Sequence, residues 1–221
     1  MIVSEPLKTT EVLAPELEEA ISPYLNKRGR INAISKEIDD ALKIAKRGTF
    51  YSNGDYYWGN TIGGLQNGYG VYKSQHGWIY VGNFVNGRFD GYGLASFEDG
   101  SFYKGYWRDG NQTGQGEKIT SEGNSLIGFF VKGLLEGHGV LLHHSGARYE
   151  GSFVHGELMG FGHAFFSNGE YLGTFEHGLL HGEGTYLFSN GDRYSGSFYN
   201  GTMHGYGEYR WADGDTCRKN W

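Results

Sequence analysis

The chain has 221 residues, of which 38% are hydrophobic and 16% aromatic, and it carries a net charge of −6 at pH 7. That length fits one or two domains, with enough apolar side chains for a core built mostly of rings. The single cysteine, Cys217, leaves no intrachain disulfide and argues against a disulfide-stapled secreted fold.

Taken in chain order, the opening MIVSEPLKTTEV lacks the basic stretch and apolar run of a signal peptide. No window approaches the ~20 apolar residues of a membrane span. Residues 1–12 are expected to be loose unless a partner holds them. A short helix is expected over residues 15–21, broken before Pro23. Ile31, Ile34, Ile38, Leu42 and Ala45 then recur at helical spacing, which predicts an amphipathic helix over residues 30–46. Lys43, Lys46 and Arg47 suit its C-terminal end, and Gly48 is a good stop. Residues 1–48 thus form an N-terminal helical extension holding eight basic and eight acidic side chains, so the rest of the chain carries 11 basic against 17 acidic. Nucleic acid and anionic lipid both need clustered Lys and Arg, and this balance argues against both.

A repeat begins at Tyr57 and fills residues 49–221. Units start at Tyr57, Tyr80, Tyr103, Leu126, Tyr149, Tyr171 and Tyr194, each 23 residues after the last except for one step of 22, and a truncated eighth begins at Cys217. With the first residue of a unit as position zero, glycines stand at +2, +7, +11, +13 and +20 in all seven units, and account for 35 of the 39 glycines. A low-complexity segment does not keep such a register, and a fixed period of this length marks a repeat architecture.

Each unit opens as Tyr-x-Gly-x-aromatic, for example Tyr80-Val81-Gly82-Asn83-Phe84, so alternation along a strand puts positions 0, +2 and +4 on one face. Glycine there lets a neighbouring ring lie close over the backbone. The segment Gly-x-x-x-Gly-x-Gly is expected to reverse the chain, and a second strand such as Glu183–Phe188 ends in a turn such as Ser189-Asn190-Gly191-Asp192. The expected fold is mostly β: roughly 14 strands in one elongated antiparallel ribbon about 65 Å long, twisted by its own strands.

The pattern Tyr-x-Gly-x-Trp/Phe-x-x-Gly-x-x-x-Gly-x-Gly resembles the MORN (membrane occupation and recognition nexus) repeat over residues 50–216. The resemblance implies a single-sheet solenoid of hairpins that serves as a scaffold, in cilia and flagella or between membrane and cytoskeleton. Its frequent histidine at +10 survives here only as His181 and His204.

No catalytic constellation emerges. The Gly-x-Gly pairs lie between strands and recur seven times, whereas a dinucleotide loop needs a strand before it and a helix after it. Equivalent histidines of adjacent units, His155 with His177 or His181 with His204, would lie ~10 Å apart, too far to share zinc at 2.0–2.1 Å bonds. Neither a metal nor another cofactor is expected, and the chain is expected not to be an enzyme. Positions +8 and +9 turn apolar in the last four units, as Leu134-Leu135, Glu157-Leu158, Leu179-Leu180 and Thr202-Met203, with Met159 at +10. Read as loops, they form a stripe that either binds a partner or folds back over the sheet.

At the ends, Trp221 falls at +4 of the truncated unit and is expected to cover the last ring layer, while Thr61 leaves the first layer without a ring. Ile34, Ile38 and Leu42 are expected either to cap that first unit or to dock on a partner. The expectation is a cytoplasmic, cytoskeleton-associated scaffold, with a helical or extended protein segment docked along the ribbon. A phospholipid-binding tether is the alternative, and the protein could act as a homodimer or as a subunit of a larger complex.

Overall fold

The computed structural model describes residues 27–45 and 48–221. The loose start at residues 1–12 and the helix expected over residues 15–21 lie outside the described residues. Helix α1 spans Lys27–Ile44. The strands that follow are β1 (Thr49–Phe50), β2 (Tyr56–Ile62), β3 (Leu65–Lys73), β4 (Ile79–Val85), β5 (Arg88–Ser96), β6 (Phe102–Arg108), β7 (Asn111–Ile119) and β8 (Ser125–Val131). They continue as β9 (Leu134–Leu142), β10 (Arg148–Val154), β11 (Glu157–Phe166), β12 (Gly169–Glu176), β13 (Leu179–Phe188), β14 (Arg193–Tyr199), β15 (Thr202–Arg210) and β16 (Thr216–Asn220). All sixteen lie in one open antiparallel sheet in the order of the sequence, two per unit, with β1 and β16 as the additions at either end.

The chain reverses in two residues, not over the whole glycine segment. Asn86 and Gly87 have φ of 49° and 79° between the paired Val85 and Arg88, the left-handed pair of a type I′ hairpin whose twist matches its strands. Position +8 is therefore already strand. The +11 glycine, Gly91 at φ 96°, lies within β5 where the register shifts between Gly82 and Phe84, a bulge that bends the ribbon. The 22-residue step is absorbed by a shorter turn, Ser167-Asn168, between the paired Phe166 and Gly169.

The +2 and +13 glycines form the floor beneath the ring at position zero. A Cβ built on Gly82 would lie 2.6 Å from both the Gly93 Cα and the Tyr80 hydroxyl, so any side chain would displace the ring. The hydroxyl then donates to the carbonyl at +3, from Tyr80 to Asn83, Tyr171 to Thr174 and Tyr194 to Ser197, each at 3.0 Å. That bond explains tyrosine in place of phenylalanine. Each such ring meets two +4 rings edge to face: Tyr80 contacts Phe84 and Trp107 at centroid distances of 5.2 and 5.4 Å. Trp221 gives Tyr194 its second partner at 5.4 Å, which closes the last layer.

The sheet has a second apolar side. Ile34, Ile38 and Ala45 of the helix region are buried against Val71, Val81, Leu94 and Ile119, with Tyr56, Trp58 and Phe102 alongside. These strand residues alternate with the ring positions, so α1 lies on the back of the ribbon. Its 18 residues make a rod of about 27 Å, close to the ~24 Å across the six strands β2–β7. Lys104 pairs with Glu37 at 2.7 Å, and the Tyr56 hydroxyl donates to the Ala45 carbonyl, so the helix is anchored along this line. Ile34, Ile38 and Leu42 thus pack over the first unit, but on the back of its sheet and not at the ring layer beside Thr61. The helix meets Tyr56 and Trp58 of the first unit, but on the opposite face, and continues over the second and third units. Beside Thr61 it is Tyr51 that packs on the ring core, its hydroxyl accepting from Gln66 at 2.9 Å.

Candidate protein-docking surface

The strand start at +8 decides the fate of the predicted stripe. Outward +8 and inward +9 residues alternate, so the stripe divides between two faces. Leu135 and Leu158 are only 1% and 2% exposed and belong to the ring core, which removes them from any surface. The cause is local. Leu126 supplies no ring and Tyr149 turns toward Phe166 and Phe175, so Leu135 and Leu158 cover the glycine floors at Gly128 and Gly151 instead. Leu180 and Met203 pack partly buried against the same core. Met159 is half-buried and its sulfur accepts the His177 amide. Only Leu134 and Leu179, each 47% exposed, remain at the surface.

The exposed pair has companions that sequence reasoning missed. On the back of the ribbon, near the type I′ turns, Phe129, Val131, Leu134, Val154, Phe161 and Leu179 are all exposed apolar side chains. The signal was present in positions +3, +5 and +12, which face the back of the sheet beside the turns. The band crosses β8 to β13, about 24 Å at the strand spacing. Exposed apolar side chains gathered on one face in this way are the feature that marks association sites.

Its flanks carry histidine–carboxylate hydrogen bonds. His155 meets Glu136 at 3.0 Å and His177 meets Glu157 at 2.6 Å. The Glu157 carboxylate raises the His177 pKa above the usual imidazole value by its hydrogen bond and its charge. His181 and His204 lean separately toward the Tyr199 ring, at 5.1 and 5.6 Å. Among the described residues no three or more His, Cys, Asp or Glu side chains converge as metal ligands would. On the ring face, burial pushes the Tyr80 and Tyr103 phenols well above their usual pKa, which keeps them neutral donors. No helix among the described residues is long and apolar enough to cross a membrane.

A ribbon of hairpins that repeats every 23 residues around a tyrosine-on-glycine core defines a β-solenoid of one layer. The chain belongs to the MORN repeat family, which matches residues 62–77, 80–102, 103–125, 127–148, 149–170, 171–193 and 194–216. No curated protein matches the chain in sequence. Among solved structures it is similar to the TCP domain of SAS-4 (dCPAP) of Drosophila melanogaster in complex with a proline-rich motif of Ana2 (dSTIL). That likeness has a TM-score of 0.44 at 8% identity, covering 79% of this chain and 89% of that one. The wild-type TCP10 domain of Danio rerio CPAP gives a TM-score of 0.42 at 12% identity, covering 79% of this chain and all of that one. The same domain in complex with a peptide of Danio rerio STIL gives 0.36 at 12% identity, covering 78% and 82%.

Proposed function

We propose that this chain is a non-enzymatic scaffold that binds a protein partner along its ribbon, within a cytoskeletal assembly such as a ciliary or flagellar axoneme or the cell cortex. The observation that carries the reading is the exposed apolar band on the back of the fourth to sixth units. Its ~24 Å length matches an amphipathic helix of about 16 residues laid across the strands. The cytoskeletal setting follows from membership of the MORN family and not from any residue of the band.

Crosslinking affinity purification would identify the partner, and titration would then test the surface. Leu134→Ser combined with Leu179→Ser should weaken that partner at least about tenfold, because each exposed leucine that becomes buried contributes ~1.5 kcal/mol or more. The melting temperature should hardly move. Leu135→Ser should do the reverse and unfold the protein at lower temperature, since Leu-to-small changes in a core cost ~2–5 kcal/mol. Unaltered affinity in the double variant would overturn the proposed surface. Sedimentation with vesicles of phosphatidic acid or phosphoinositide, lost in the same double variant, would favour the membrane tether instead.

A further inference from the structure

On the ring face of the second and third units the core is incomplete. Position +15 lies opposite position zero on the next strand, and several units fill it with a bulky side chain, Tyr72, Leu141, Tyr186 or Tyr209. The second and fifth units have Ala95 and Ala164, and the third has Lys118. The space over Ala95 is a pocket of about 410 Å3 walled by Trp78, Phe89, Phe97 and Trp107, with Glu98 and Asp99 at its rim. Phe89 stands nearly perpendicular to both tryptophans, at 82° and 5.9 Å from Trp78 and at 81° and 5.4 Å from Trp107. The Trp107 indole N–H is already donated to the Gly93 carbonyl at 3.3 Å, so that ring offers the pocket its π-system and not a polar group.

We propose that this pocket is a binding site for a cationic side chain, arginine above all, carried by an extended segment of a basic protein partner. Rings set at right angles around a space with carboxylates at its mouth are the arrangement that holds a cation. A guanidinium fits it better than an ammonium, because its plane stacks on an aromatic face while its fork reaches a carboxylate. Asp99 is held in place by the Ser101 amide at 2.9 Å and the Ser101 hydroxyl at 2.6 Å, so its charge is fixed at the rim. Beside the pocket, and sharing Phe97 and Asp99 with it, a second depression is lined by Gln112, Lys118 and Thr120. The Gln112 side-chain carbonyl is buried there without a donor. The two depressions lie side by side and share two lining residues, so the occupant is a chain that spans both and not a free cation. The net charge of −6 favours the approach of a basic chain.

The probe is a short glycine–serine peptide with one central arginine, compared with peptides in which citrulline or proline replaces it. Titration into the full chain is followed through the indole N–H signals of Trp78 and Trp107. The arginine peptide should shift both saturably. Citrulline keeps the shape without the charge and should bind about tenfold more weakly. Phe97→Leu should abolish the shifts, and Glu98→Gln, an exposed change that leaves the core intact, should weaken them and reduce their salt dependence. Equal binding of the citrulline peptide, tighter binding of the proline peptide, or no saturable shift with arginine would each overturn the proposal. The pocket and the apolar band lie on opposite faces, so Leu134→Ser with Leu179→Ser should leave this titration unchanged, and failure of one site does not imply failure of the other.

Discussion

The back of the ribbon is built in two ways along one sheet. In the first three units position −1 is apolar, as Tyr56, Ile79 and Phe102, while +14 is Val71 and Leu94 in the first two and Glu117 in the third, and α1 covers the apolar ones. The fourth unit has Ser125 and Val140 at the same positions, and the last three units read Arg148, Glu170 and Arg193, or His163, Thr185 and Glu208. These pair among themselves: Arg148 with Glu150, His163 with Glu170 at 2.9 Å, Thr185 with Ser195 at 3.1 Å, and Arg218 with Glu208. A single-layer sheet cannot bury two faces in itself. One half therefore borrows a helix, and the other satisfies much of its back with polar ladders and leaves exposed apolar side chains beside the turns, with Leu172 and Leu187 exposed farther along the strands.

The largest expected effect comes from removing the cover. Ile34 and Ile38 are 4% and 5% exposed, and burying each is worth ~1.5–3 kcal/mol. Deletion of residues 1–47 should lower the melting temperature by several degrees and make the protein self-associate through the bared Val71, Val81 and Leu94. Hydrogen exchange should quicken in β2–β7 and stay unchanged in β10–β15. A monomeric variant with an unaltered melting temperature would show that the two halves need no different treatment.

A smaller effect should come from the ladder of the other half. Arg148 and Glu150 are 13% and 7% exposed at their side chains, and Arg148 also lies 4.9 Å over the Phe165 ring. Arg148→Ala strands Glu150 on a largely buried face and should cost about 3 kcal/mol in denaturant unfolding. Arg148→Leu together with Glu150→Val should recover most of that loss, because an apolar pair replaces the ions without an unpaired charge. If the double variant is no better than the single, the polar face contributes more than mutual satisfaction.

Most of the architecture was legible because the constraints are strictly periodic. The glycine columns gave the unit length, alternation gave the ring face, and Trp221 at +4 gave the last layer. The sequence leaves Leu135 and Leu158 open between a partner site and self-packing, because a reversal spread over Gly-x-x-x-Gly-x-Gly does not fix the face of +9. A two-residue turn needs both +6 and +7 left-handed, as at Lys132 and Gly133 with φ of 49° and 82°, and so returns +8 to the strand. The division of the back face stands in positions −1 and +14, which vary from unit to unit and so carry no periodic signal. The aromatic pocket could not be seen at all from spacing, because it depends on which rings lean over Ala95.

The smallest expected effect compares the two ends, which share a device that the middle lacks. The turn Asn-Gly-Asp occurs before the first and the seventh units, and its aspartates, Asp55 and Asp192, are buried. Asp192 accepts from the Tyr209 hydroxyl at 2.6 Å, the Asn190 amide at 2.9 Å and the Ala212 backbone at 2.9 Å; Asp55 accepts from Tyr72, from Gln75 and from Asn53. The tyrosine hydrogen bond is the chief reason that each carboxyl titrates below its usual range, and the same bond pushes Tyr209 up to about 12. A folded pKa below the unfolded value means that the stabilisation is complete above about pH 4 and is lost as pH falls through the folded pKa. His177 has the opposite sign: its raised pKa stabilises below about pH 6.5 and that contribution fades as pH rises through the folded value. Asp192→Asn should therefore lower the melting temperature at pH 7 and lower it progressively less as the pH falls below about 4, with faster exchange of the Ala212 amide at the higher pH. Asp55→Asn should repeat the pattern at the other end, next to the helix-covered units. An identical loss at pH 7 and below about pH 4 would mean that the two carboxylates act by shape alone, and that their charge does nothing to hold the ends of the ribbon.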